Sequence, residues 1–394
     1  MNILVVCQHY KPEPFRLPDI CERLVADGHK VSVVTGVPNY PEGKIYNGYK
    51  LFKNKPEVVD GVTVHRCFTI PRKSGILFRV LNYYSFAWAS TLYLLGLKER
   101  FDVVLVNQLS PVMMAQGAIR YAKKHKLNTV LYCLDLWPES LVAGGISPGS
   151  PVYKIFYKIS KKIYKGADKI LVSSKSFCDY FNDVLKIEGE REYLPQYAED
   201  LFDNIPPVKP HDPPYNLTFA GNVGDMQSIE TIIGAARLLK DDKRAVFNIV
   251  GDGSALERCK ELAKDLDNVV FYGRRPLEDM PEFYKNADAM IVSLKDDPII
   301  SYTLPGKVQS YMASSRALIG SINGETAKVI ADANCGVCAP SQNEVELKNQ
   351  IQTLLDNPEN FITYGNNAKE YYSAHFDKDV FINKLTSVLD QYKK

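Results

Sequence analysis

The chain of 394 residues is 45% hydrophobic and 24% charged, a globular composition with apolar material for two domains, or three, at roughly 100–200 residues each. That excludes a disordered tail, a fibre and a small disulfide-stapled scaffold. Lysine and arginine number 48 against 46 aspartates and glutamates, a formal net charge of +2. A nucleic-acid binder working through bulk charge is far more basic, so any charge-driven partner must meet a local patch.

In chain order, apolar strands are predicted at Ile3–Cys7, Val31–Thr35, Val62–Phe68, Val103–Asn107, Thr129–Leu134 and Lys169–Ser173. Amphipathic helices fall between them, Asp19–Asp27 and Met113–His125 among them. A second series runs through Tyr215–Ala220, Ala245–Val250, Val269–Tyr272, Ala289–Leu294 and Ala317–Ser321. Strands alternating with helices predict parallel sheets covered on both faces. Ile205–Pro214, with five prolines in ten residues, reads as a stiff linker between the series. The expected architecture is α/β, with two doubly wound domains at 1–204 and 205–375 facing each other across a cleft. A closing helix at about 376–394 is free to pack back on the first. Ligands of such sheets sit beyond the carboxyl ends of the strands, which directs attention to the loops that follow them.

No basic, apolar and cleavage-site sequence precedes the first strand, so no secretory leader is read. The eight scattered cysteines read as buried thiols in a reducing cytosol. Cys335 and Cys338 form C-x-x-C without the second pair or histidines that zinc requires, and are read as a short strand after a turn. Asp265-Leu-Asp267 is read as surface. No metal or other cofactor is expected.

In the second series, Gly221-Asn222-Val223-Gly224 joins a strand to a helix near Ser228–Leu239. Such a turn lets backbone N–H groups approach a phosphate; a plain tight turn is the alternative. Gly251-Asp252-Gly253 is a second glycine turn, but Leu256 stands where the dinucleotide fingerprint needs a third glycine. Pro305 and Gly306 open a helix with Lys307 in its first turn, where a cation opposes the helix dipole. The placement makes sense if a diphosphate docks there, against the alternative of a solvated lysine.

These segments, with Gly273-Arg-Arg-Pro276, Ala287-Asp-Ala289, His9-Tyr-Lys-Pro-Glu-Pro14, Asp135-Leu-Trp-Pro-Glu-Ser140 and Leu194-Pro-Gln-Tyr197, together resemble the retaining family 4 glycosyltransferases of the GT-B fold. The likeness spans nearly the whole chain and is nearest the bacterial branch that builds capsule and O-antigen units, N-acetylfucosamine transferases included. The resemblance implies transfer of a sugar from a UDP-sugar, with the nucleotide in the second domain and the acceptor in the first. It implies donor contacts at Gly221, Asn222, Gly251, Arg274, Arg275, Thr303, Leu304, Pro305, Gly306 and Ser310, with Lys307 carrying phosphate charge. Many relatives hold an arginine and a lysine where this chain has Asn222 and Gln227. Their paired glutamates, eight positions apart, align with Tyr302 and Ser310. An inactive GT-B partner subunit, and a UDP-sugar epimerase, are the alternatives.

Asp135 follows a strand and is the expected orienting group or proton acceptor, against the alternative of a helix N-cap. Glu139, four residues on, would point to the same region if that turn is helical. Glu13 and Arg16, in the loop after the first strand, are expected to meet the acceptor; His9 ends that strand. Ile76–Leu97 is 22 residues with one charge, Arg79, long enough to span a bilayer. Spanning would put neighbouring strands on opposite sides of the membrane, so it is read as partly core and partly interfacial. The lysines of Tyr153–Lys165 recur at helical spacing among aromatic residues, a pattern suited to an anionic surface. A polyprenyl-diphosphate-linked saccharide at the cytoplasmic face of the inner membrane is the expected acceptor.

Overall fold

Near-continuous runs of valine, isoleucine and leucine mark strands covered on both faces. In the computed structural model they form one sheet in each of two units. Residues 1–52, 55–72, 75–142 and 145–394 are described, without the side chains of 76, 77 and 79; Arg79 thus lies outside the described side chains. Unit 1 comprises Met1–Ser173, Phe177–Leu194 and Ile382–Lys394, and unit 2 comprises Ser174–Ser176 and Pro195–Phe381.

Up to Leu194 the chain runs β1 (Asn2–Val6), α1 (Leu17–Ala26), β2 (Lys30–Gly36), β3 (Glu57–Val59), β4 (Val62–Cys67), α2 (Ile76–Gly96), β5 (Val103–Gln108), α3 (Ala115–His125), β6 (Thr129–Cys133), α4 (Glu139–Val142), α5 (Pro151–Tyr164), β7 (Lys169–Val172), α6 (Ser176–Asp179) and β8 (Arg191–Tyr193). The strand order is β3-β4-β2-β1-β5-β6-β7-β8, with only β3 antiparallel to its neighbour. β1 lies inside the sheet, and Ile3, Leu4, Val5 and Val6 are completely buried. The edge strands β3 and β8 have three residues each, too few to show a period, and escape the sequence reading.

The rest of the chain runs β9 (Tyr215–Ala220), α7 (Ile229–Leu238), β10 (Ala245–Val250), α8 (Leu256–Leu262), β11 (Val269–Gly273), α9 (Met280–Lys285), β12 (Ala289–Ser293), α10 (Gly306–Ala313), β13 (Ala317–Ser321), α11 (Glu325–Asp332), β14 (Gly336–Ala339), α12 (Glu344–Asp356), α13 (Glu359–His375) and α14 (Lys378–Tyr392). The order β11-β10-β9-β12-β13-β14 is parallel throughout. In each sheet the winding reverses beside the first strand, at β1 and at β9. The crevice beyond the carboxyl end of such a strand is where doubly wound folds take ligands.

The boundary expected at 204/205 moves to Leu194/Pro195, so the proline-rich stretch belongs to unit 2. Arg316 supplies the reason. Its guanidinium is 1% exposed and donates to the carbonyls of Pro206, Tyr284, Lys285, Ser314 and Ser315. Burial pushes its pKa down to about 10, and the carbonyl ring takes up all the donors a buried cation must satisfy.

Helix α2 is apolar on two sides. Phe86, Ser90 and Leu94 are buried, while Leu81, Tyr84, Trp88, Leu92 and Leu95 recur every three or four residues on the outer side, with Trp88 65% exposed. The Tyr84 ring lies 6.4 Å from that of Phe156 on α5, where Val152 and Ile155 are exposed. Lys154, Lys158, Lys161, Lys162 and Lys165 make no ion pair among the described residues. No helix among them is long and apolar enough to cross a membrane.

Candidate functional site

The carboxyl edge of the unit 2 sheet is built from glycine turns packed on one another. Gly221 follows β9 at φ +144° and donates to the Val250 carbonyl (2.9 Å); Gly251 follows β10, also at +144°, and donates to the Gly273 carbonyl (2.9 Å). Only glycine fits such backbone without strain. A Cβ on Gly251 would lie 1.8 Å from the Gly221 carbonyl oxygen, and one on Gly221 would meet the Lys307 ammonium at 2.8 Å.

Lys307 thus reaches from the first turn of α10 to the turn after β9. Pro305 caps that helix without a side-chain hydrogen bond, and no acidic residue sits in its first turn. Lys307 Nζ donates to Gln227 Oε1 (2.8 Å) and lies 4.2 Å from the centre of the Phe219 ring. No carboxylate pairs with it among the described residues. Burial pushes its pKa down to about 7, the expected response of an enclosed ammonium without a counter-charge.

Thr303, Leu304, Pro305 and Gly306 lead into this helix as read from the sequence, with Thr303 Oγ1 tied to the Ile300 carbonyl (2.8 Å). Arg274 and Arg275 follow β11 and are exposed; Asn222 is exposed in the first turn. Ser310, 4% exposed, donates to Glu199 Oε2 (3.1 Å). Sequence reasoning missed Glu199, because 111 residues separate the pair and no spacing could announce it. Asp265 and Asp267 are occupied by Arg237 and Lys243. Cys335 and Cys338 flank the start of β14, both thiols pushed up to about 12 by burial.

In unit 1, Asp135 follows β6 and Ser110 follows β5. The Ser110 hydroxyl donates to the Asp135 carboxylate and accepts from Trp137 Nε1 (2.7 Å). Burial raises the Asp135 pKa, opposed by the Ser110 hydrogen bond. Two expectations need correction. Glu139 is 6% exposed, and its Oε1 accepts the hydroxyls of Tyr153 (2.5 Å) and Tyr180 (3.0 Å), so it braces α4 internally instead of presenting a carboxylate to an acceptor. Glu13 is 2% exposed and accepts from His9 and from the backbone of Tyr10, Asn39 and Tyr40; it organises the loop from within. Arg16 stands at the amino end of α1, half-buried.

Two family profiles match successive stretches of the chain. Residues 16–195 match the glycosyl transferase 4-like domain, and residues 214–357 match glycosyl transferases group 1. The chain belongs to the family 4 glycosyltransferases. As a GT-B glycosyltransferase it is 28% identical to WbjE of Pseudomonas aeruginosa, named as a glycosyltransferase, over 76% of this chain and 78% of that one. It is 25% identical to WcaI of Escherichia coli K12, named for colanic acid biosynthesis, over 79% and 81% of the two chains. The crystal structure of Anabaena HepE in complex with UDP and glucose superposes with a TM-score of 0.67 at 14% identity, covering 99% of both chains; at that identity it speaks for the fold.

Proposed function

We propose that this glycosyltransferase moves a sugar from a UDP-sugar, with retention at the anomeric carbon, to a polyprenyl-diphosphate-linked glycan during assembly of a surface polysaccharide. The observation that carries the donor side is Lys307, a cation enclosed among glycine turns with no carboxylate to neutralise it. Such a position favours a polyanion, and the uncapped start of α10 adds backbone N–H groups to it. Arg274 and Arg275 stand beside the third turn, joined to the Gly251 turn through Gly273. Glu199 offers ribose hydroxyls a carboxylate beside Ser310. The UDP and glucose held by HepE support the nucleotide, and the likeness to WcaI, named for colanic acid biosynthesis, supports the setting.

In the reaction the acceptor hydroxyl attacks on the face from which the diphosphate leaves. The bond from anomeric carbon to phosphate oxygen breaks, its electron pair goes to the diphosphate, and a diphosphate oxygen takes the hydroxyl proton. Lys307 stabilises the growing charge and Asp135, held by Ser110, orients the acceptor; both contributions are positional and electrostatic. The apolar outer side of α2 and the uncompensated lysines of α5 support docking on an anionic bilayer, where a lipid-linked acceptor resides. The inactive-subunit and epimerase readings gain no support from the relatives.

A thermal-shift panel of UDP, GDP, CDP and ADP, with and without magnesium, tests the donor side. At a hundred times its dissociation constant a ligand stabilises by about 2.7 kcal/mol. A UDP-selective shift independent of magnesium, lost in Lys307→Met, is expected. No shift with any nucleotide would overturn the reading.

A further inference from the structure

We infer that the loop after β1 carries a saccharide subsite in which His9 Nε2 accepts a hydrogen bond from a sugar hydroxyl, with Glu13 as its positioning partner. His9 is 5% exposed, and its Nδ1 lies 3.1 Å from both oxygens of the Glu13 carboxylate. Those oxygens also accept backbone N–H groups from Tyr10 (3.3 Å), Asn39 (2.9 Å) and Tyr40 (2.8 Å). A carboxylate surrounded by donors is an acceptor on every side, so Nδ1 carries a proton, which in the neutral form of the ring leaves the lone pair on Nε2. Nε2 has no hydrogen-bond partner among the described residues, whereas Nδ1 is held by Glu13.

The surroundings suit a sugar. Phe15 stacks on the imidazole with centroids 4.7 Å apart and planes 11° from parallel, and Tyr40 lies 5.6 Å from the imidazole and 5.3 Å from Phe15. Aromatic walls around a few fixed polar atoms are the usual make-up of a small-ligand site. The loop also sits at the winding reversal of the unit 1 sheet, on the edge that carries Ser110 and Asp135. Neither composition nor spacing reveals the arrangement, since Glu13 is recruited by a loop 26 residues away as much as by His9.

The subsite rests on the transferase reading only in that its ligand is the acceptor glycan. There the contact turns the attacking oxygen toward the anomeric carbon while the proton still passes to the departing diphosphate. The test is nitrogen-15 spectroscopy of the histidine rings in the full chain at pH 8, with octyl glycosides of glucose, galactose and N-acetylglucosamine as probes. The His9 signals are assigned by their loss in His9→Gln or, should that variant fail to fold, by replacing the other histidines singly. The expected result is an Nδ1–H tautomer that relaxes toward the ordinary mixture in Glu13→Gln, and an Nε2 resonance displaced by at least one glycoside. Calorimetry with UDP, run in parallel, should give the same dissociation constant within twofold for wild type and His9→Gln. An Nε2–H tautomer, or a His9 signal that no glycoside moves while UDP still binds, overturns the subsite and leaves the donor reading standing. Failure of UDP to bind wild type strikes the donor reading instead.

Discussion

With Lys307 in the proposed role at the donor diphosphate, nucleotide binding should depend on pH in a direction that can be worked out. Burial pushes the lysine's pKa down from 10.5 to about 7. A bound diphosphate restores a counter-charge and raises that value, so above pH 7 each binding event takes up a proton. With that value, about nine lysines in ten are neutral amines at pH 8 before nucleotide binds, and protonating one costs about 1.4 kcal/mol, a tenfold loss of affinity. The loss continues at about tenfold per pH unit until the pKa of the complex is reached, and disappears below pH 7. The phosphate itself, with a second pKa near 6, is fully ionised over most of this range. Calorimetry with UDP at pH 6.5, 7.5 and 8.5, in two buffers of different ionisation enthalpy, should show weakening affinity and proton uptake approaching one. Lys307→Arg should flatten the profile, because guanidinium stays charged. An affinity that is level from pH 6.5 to 8.5 in wild type, with no proton uptake, would refute the reasoning.

Replacing Arg316 by methionine should leave five carbonyls without their shared donor and destabilise the protein by about 3–5 kcal/mol, read by urea unfolding; a loss under ~1 kcal/mol would show that the buried guanidinium is dispensable. Gly251→Ala drives a Cβ into the Gly221 carbonyl and should abolish UDP binding. Gly28→Ala, with positive φ but nothing within 4 Å, should cost only about 1 kcal/mol and leave binding intact. Wild type should co-sediment with vesicles rich in anionic phospholipid, and Trp88→Glu with Leu92→Glu should abolish this without moving the melting temperature. Equal sedimentation of the double variant would remove α2 from any membrane face.

Most strands of the two sheets are legible in the sequence because fully covered strands are nearly uninterrupted apolar runs; Tyr215–Ala220, Ala245–Val250 and Ala317–Ser321 fall on the same residues in structure and sequence reading. The helix at Gly306 is legible from Pro305 and Gly306 alone. Tertiary pairing is another matter. Glu139 reads as a cleft acid until Tyr153 and Tyr180 arrive from other elements to enclose it. The proline run reads as a stiff linker between the domains because the residue that ties it into unit 2, Arg316, lies 110 positions from Pro206. Glu199 beside Ser310 is hidden for the same reason. Local pattern therefore reveals the scaffold, whereas partners distant in sequence decide which charged groups remain available for chemistry.

Unit 2 is inserted within unit 1, since Ile382–Lys394 belongs to the first unit although it is made after the whole of the second. Ile382, Leu385, Val388 and Leu389 are buried, the Tyr392 carbonyl accepts from Asn128, and the Lys394 amide donates to the Asp102 carbonyl. On the ribosome, the unit 2 sheet can close as it emerges, while the earlier-made half must wait until Ile382–Lys394 has left the exit tunnel. A fragment ending at Leu194 would expose the apolar groove that this segment fills, so unit 1 is better produced by splicing its closing segment after Leu194 than by simple truncation.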